Sequence, residues 1–138
     1  MNPAGYSNTP LVKKLGIKEG MKCIFVNTPS HYVDLLIDIP DISVLNIEDA
    51  EEETTDFVHL FVKHQKELEN AWLRCKSTLK KTGSLWVSWP KATSQLPKDI
   101  DGNYVRRFGL SGGLVDTKVC AIDADWSGIK FMYRREDR

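Results

Sequence analysis

The stretch that decides the fold runs Asp56-Phe-Val-His-Leu-Phe-Val-Lys63, then Gln65-Lys-Glu-Leu-Glu-Asn-Ala-Trp-Leu-Arg-Cys-Lys-Ser-Thr-Leu-Lys80, then Ser84-Leu-Trp-Val-Ser-Trp89. In its first part Phe57, His59 and Phe61 alternate with Val58, Leu60 and Val62. Both sides of that strand are therefore largely apolar, which suits a strand covered on both faces. In the middle part Leu68, Ala71, Trp72, Cys75 and Leu79 recur at helical spacing while Lys66, Glu67, Lys76 and Lys80 fall outside the stripe, so the spacing predicts a helix over 65–80 with one docking face. Gly83 is the expected stop. The last part is a second buried strand, ended by Pro90. A strand, a long helix and another strand imply a right-handed crossover between parallel neighbours.

Working toward the amino end, Ile42 to Ile47 alternates weakly and predicts a short strand nearer the sheet edge, followed by an acidic, solvated loop at Glu48, Asp49, Glu51, Glu52 and Glu53. Ser30 is placed to cap a helix through Asp38, with Val33, Leu36 and Ile37 at helical spacing and Pro40 beyond it. Lys22-Cys-Ile-Phe-Val-Asn27 is a further continuous apolar strand. Ahead of it, Thr9, Pro10 and Gly16 bracket a short helix over Leu11 to Leu15.

Toward the carboxyl end, Lys98 to Leu110 forms a weaker helix bounded by Gly109 and the Gly112-Gly113 pair. Leu114 to Ile122 and Ile129 to Arg134 are strands joined by Asp123-Ala-Asp-Trp-Ser-Gly128, a connection that requires antiparallel pairing. The fold class is thus α/β: a Rossmann-like, mostly parallel sheet with helices on both faces and a C-terminal antiparallel hairpin. One domain over 1–138 accounts for every segment, without repeat or linker.

Nineteen basic residues balance nineteen acidic ones, so no overall field draws the chain to nucleic acid or an anionic membrane, although a local patch remains open. Cys23, Cys75 and Cys120 are widely spaced within apolar patterns and are expected as reduced core thiols of a cytoplasmic protein. Met1 to Tyr6 lacks the order of a signal peptide, and no run is long enough to span a membrane.

The outline resembles the S-adenosylmethionine-dependent methyltransferases, and Leu79-Lys-Lys-Thr-Gly-Ser-Leu-Trp-Val-Ser88 is similar to their helix-to-strand passage. A resemblance over nearly the whole chain, through Ala4 to Lys18, Asp56 to Val62, Leu85 to Lys91, Gly113 to Asp123 and Trp126 to Lys130, is to an uncharacterised bacterial family of small domains of unknown function. That resemblance supports the fold and carries over no catalytic residue, substrate or cofactor. The turn after the first strand, Asn27-Thr-Pro-Ser-His31, contains no glycine, and Pro29 has no backbone donor. A nucleotide cofactor ordinarily needs close backbone approach there. No carboxylate stands at Val44-Leu-Asn-Ile47 to hold a ribose, though Glu48 or Asp49 would serve if the strand ran longer.

In parallel α/β sheets ligands gather beyond the carboxyl ends of the strands. That rule selects Asn27, Thr28, Ser30, His31 and Tyr32 after the first strand, Lys63 and His64 after the next buried one, and Ser88, Trp89 and Lys91 after the third. If the strand from Leu114 is parallel, Asp123, Asp125 and Trp126 join the same rim. His31 and His64 are candidate proton carriers, whereas His59 at mid-strand is expected to be a hydrogen-bonded core residue. Trp126 in the turn is expected as an exposed contact residue or folded back over the sheet, and Lys91 as the first cation to meet an anionic ligand. No ligand spacing for a metal is present. Two functions fit: a small-molecule-binding domain, enzymatic or degenerate, with its ligand on this rim, or a non-catalytic protein-interaction module presenting Trp126 and the acidic loop.

Overall fold

The computed structural model describes residues 9–138; the Met1 to Tyr6 reading lies outside the described residues. The elements follow as α1 (Leu11–Leu15), β1 (Lys22–Val26), α2 (Tyr32–Leu35), β2 (Ser43–Val44), β3 (Thr55–Phe61), α3 (Gln65–Thr78), β4 (Leu79–Pro90), α4 (Gly102–Ser111), β5 (Val115–Ala121) and β6 (Trp126–Met132). They build a six-stranded sheet of order β2-β1-β3-β4-β6-β5. β2, β1, β3 and β4 pair in parallel, and β6 is antiparallel to both β4 and β5. β5 therefore points the same way as β4, so its outgoing turn shares an edge with those of β1, β3 and β4.

The alternation in β3 and β4 divides two cores. Val58, Leu60, Leu85, Val87 and Trp89 meet Leu68, Trp72 and Cys75 of α3 and Val105 of α4 on one face. Phe57, Phe61 and Trp86 meet Val12 and Leu15 of α1, with Tyr32, Leu36 and Trp126, on the other. Trp86 and Trp89 thus point oppositely, as their odd separation requires. All three cysteines are free thiols. Among the described residues no helix is long and apolar enough to cross a membrane.

Five boundaries depart from the sequence expectations. At α1 it is Pro10, not Thr9, that takes the cap position, while Gly16 closes the helix in the left-handed region at φ 81°. α3 ends at Thr78 and β4 begins at the next residue, so Gly83 lies inside a strand. A Cβ at Gly83 would stand 3.0 Å from the carbonyl oxygens of Thr55 and Asp56, and the glycine lets the start of β3 approach closely. The second strand shrinks from 42–47 to Ser43–Val44. The helix expected over 30–38 is a single turn, broken where Leu36 takes φ −97°, ψ 63° and Asp38 takes φ 57°. Its buried residues are Tyr32 and Leu36, four apart, while Val33 and Ile37 are 79% and 69% exposed. The helix over 98–110 is likewise shortened, to Gly102–Ser111, and starts where the Asp101 side chain accepts from Tyr104 N at 2.9 Å.

Candidate functional site

The carboxyl edge gathers the residues that follow β1, β3, β4 and β5, but much of it is already filled. Residues 91–100 fold back across the ends of β3 and β4. Lys91 N donates to Asp125 O at 2.8 Å, Ser94 Oγ to Asp125 Oδ1 at 3.0 Å, and Asp99 N to Lys63 O at 3.1 Å. Gln65 N donates to Asp99 Oδ1 at 2.7 Å. Asp125 and the backbone of Lys91 thereby serve as fastenings between the segment and the β5–β6 turn.

A second fastening joins β1's exit to the same turn. His31 Nε2 lies 2.6 Å from Asp123 Oδ2, with side chains 44% and 16% exposed. The other carboxylate oxygen of Asp123 accepts from the amides of Asp125 and Trp126, each at 2.8 Å. His64 caps α3 and stands 3.5 Å from Asp99 Oδ1. The two candidate proton carriers therefore face separate carboxylates, rather than each other.

Beneath His31 runs a buried polar chain. Tyr32 Oη is 2.7 Å from His59 Nδ1, and His59 Nε2 is 2.7 Å from Ser88 Oγ. His59 and Ser88 are wholly buried. Burial pushes His59 down from 6.5 to about 3, so it is neutral at physiological pH, with one ring nitrogen donating and the other accepting. Burial pushes the Tyr32 phenol well above its ordinary value, with the Cys23 thiol adding to the effect. Gly128 leaves room for this chain: a Cβ there would stand 3.0 Å from Ser88 Oγ. The expectation of a hydrogen-bonded core histidine is met.

Three aromatic candidates are committed to the cores. Tyr32 and Trp126 are 3% exposed and Trp89 is 8% exposed. Trp126 is the first residue of β6, not a turn residue, and its ring meets Phe61 edge-on at 5.0 Å. It folds over the sheet and presents no exposed contact. Trp89 is held against α4, where Gly102 admits its ring. Asn27, Thr28 and Ser30 remain exposed at the end of β1.

The cleft at this edge lies between the exits of β1 and β2, about 510 Å³, walled by Phe25, Val26, Val44, Leu45 and Ile47 and carrying Asn27 and Asn46. Asn27 adopts φ 58°, the left-handed turn that asparagine tolerates and that glycine usually supplies. Asn46 Oδ1 accepts from Glu48 N at 2.9 Å, turning the acidic segment away from the cleft. With β2 only two residues long, Asp49 falls on a neighbouring cleft of about 390 Å³ with Glu51, Thr54 and Lys22. A third cleft, about 350 Å³, holds Lys98, Asp101, Tyr104 and Arg107 beside the start of α3. Sequence reasoning missed Asn46, because the second strand was expected to run on through Ile47, and Arg107, which lies on α4 where no strand-end rule selects it.

No protein-family model matches the chain, and no curated protein matches it. Solved structures do. A SAM-dependent methyltransferase from Aquifex aeolicus aligns with a TM-score of 0.64 at 13% identity, over 90% of this chain and 88% of its own. The ribosomal protein L11 methylase of Lactobacillus delbrueckii subsp. bulgaricus aligns at 0.59 and 11% identity, over 91% and 76%. The 1,6-didemethyltoxoflavin-N1-methyltransferase of Burkholderia thailandensis, solved with 1,6-didemethyltoxoflavin and S-adenosylhomocysteine bound, aligns at 0.55 and 9%, over 88% and 73%. The fold is the Rossmann-like fold of the S-adenosylmethionine-dependent methyltransferases, and at these identities the likeness speaks for the fold alone.

Proposed function

We propose that this methyltransferase-like fold serves as a small-molecule-binding domain whose ligand occupies the cleft between the exits of β1 and β2. The observation that carries the reading is Asn27: an exposed amide in the left-handed region, at the first turn of the sheet, on the wall of a cleft with apolar sides. Apolar walls with a few convergent amides suit a neutral, hydrogen-bonding heterocycle. Among the described residues no cation lines this cleft, which disfavours a phosphate.

The residues match one half of S-adenosylmethionine. A nucleoside base suits Phe25, Leu45, Ile47 and the two amides. The ribose lacks a carboxylate, since Asp49 and Glu51 belong to the neighbouring cleft. The amino-acid end lacks both a cation and the amide of residue 29, which is proline. The complete cofactor is therefore a poor fit, and no methyl-transfer step is assigned to this site.

Thermal unfolding with adenosine, S-adenosylhomocysteine and S-adenosylmethionine tests the reading. A ligand at about one hundred times its dissociation constant adds about 2.7 kcal/mol, or roughly 9 °C in Tm for a chain of this length. Val44 is 65% exposed, so Val44→Trp should block the cleft without disturbing the core and abolish the shift. Failure of all three nucleosides to shift Tm, or a shift that survives Val44→Trp, overturns the assignment.

A protein-contact role remains the second reading. It draws support from Val33, Ile37 and Ile39, which are 79%, 69% and 40% exposed within seven residues.

A further inference from the structure

Net charge is zero across the chain, yet one part of the sheet collects lysines without carboxylates. The register aligns His59, Trp86, Lys130 and Lys118 as one row across β3, β4, β6 and β5. The row begins under α1 and α2, since Trp86 Nε1 donates to Leu15 O at 2.9 Å and Tyr32 binds His59. Past Trp86 it emerges as two lysines paired directly across strands, with Lys118 exposed and Lys130 half-buried. Lys118 Nζ reaches back to Lys14 O at 3.0 Å, placing the basic end of α1 beside the row. Lys130 is pushed below its ordinary value by burial, then by the charges of Lys118 and Lys18.

Like charges directly opposite on neighbouring strands are destabilising. Among the described residues Lys18, Lys118 and Lys130 form no ion pair with a carboxylate. The counter-charge is therefore to be sought outside the described chain. We propose that this lysine-bearing face of β5 and β6 is a docking surface for an acidic, extended polypeptide segment of a partner protein.

Two features favour a polypeptide over a nucleic acid. β5 ends the sheet, and among the described residues no strand pairs with its outer side, leaving backbone donors and acceptors for an added strand. The patch consists of lysines, point charges without the planar fork that grips phosphate, and the row's one tryptophan, Trp86, is wholly buried and offers no stacking platform. A second copy of β5 is a poorer match. Pairing β5 with its own copy would set the exposed Lys118 beside like charge, which discourages edge-to-edge self-pairing and is absent with an acidic segment.

The test is fluorescence anisotropy with a labelled peptide of alternating Glu and Val, beside an oligonucleotide of equal charge, at about 50 mM salt and again at about 300 mM. The peptide should bind at low salt, weaken at high salt, and lose about tenfold or more in affinity to Lys118→Glu/Lys130→Glu. Lys63→Glu/Lys66→Glu, which makes the same change in net charge elsewhere, should bind as the parent does. If the reversal unfolds the chain, Lys118→Gln with Lys130 intact should still weaken binding, with circular dichroism checking the fold. No peptide binding at low salt, equal loss in the control variant, or tighter binding of the oligonucleotide overturns the proposal.

Discussion

Acidification should reveal the buried histidine. His59 sits at 0% exposure between Tyr32 Oη and Ser88 Oγ, and burial lowers its folded-state value from 6.5 to about 3. Between those values the unfolded chain takes up a proton that the folded chain refuses. The neutral histidine's contribution is thus intact above about pH 6.5 and is lost progressively as pH falls toward 3, at about 1.4 kcal/mol per pH unit. From pH 7.5 to pH 4.5 the loss amounts to about 3 kcal/mol, or roughly 10 °C in Tm. Urea unfolding followed by tryptophan fluorescence measures it, and His59→Gln isolates it, because glutamine retains a donor and an acceptor but does not titrate. Carboxylates and the other histidines contribute to both profiles and cancel in their difference. The difference should narrow by about 3 kcal/mol across this window. Profiles that stay parallel within about 0.5 kcal/mol would refute the burial argument.

Gly109→Ala should destabilise despite better helix propensity. The added Cβ would overlap the ring of Phe131, which is wholly buried, and overpacking at about 1–3 kcal/mol outweighs a gain of about 0.5–1 kcal/mol; a Tm at or above the parent's would contradict this. At Asn27, whose φ is 58°, glycine should be tolerated within a few tenths of a kcal/mol while valine costs about 1–2 kcal/mol. Chemical denaturation of both variants checks the ordering, and equal stabilities would remove the case for a conformational role.

The central strands and α3 were legible because each is apolar on a period that burial enforces. Phe57 to Val62 is lined on both faces, and Leu68, Trp72 and Cys75 project on one. The peripheral elements were legible only in part. Val33 and Ile37 have helical spacing, yet they point to solvent because Leu36 and Asp38 leave helical geometry. Hydrophobic spacing alone could not distinguish them from Tyr32 and Leu36. At the site, the choice of sheet edge followed from strand polarity. Its occupancy did not, because residues 91–100 are tied down partly by backbone amides and carbonyls, which any sequence carries. Trp126 was misplaced by three residues of hairpin boundary, enough to move an indole from a turn into a core.

The direct passage from Thr78 in α3 to Leu79 in β4 bears on how the molecule breathes. With no slack between them, the helix cannot peel away while β4 stays paired to β3 and β6. Amide exchange should therefore report β3, α3 and β4 as one slowly opening unit near the global unfolding free energy, while β2 and α2, two and four residues long, exchange by small local openings. The proposed ligand cleft borders the fast-exchanging part of the sheet, and an occupant would be expected to slow exchange there first.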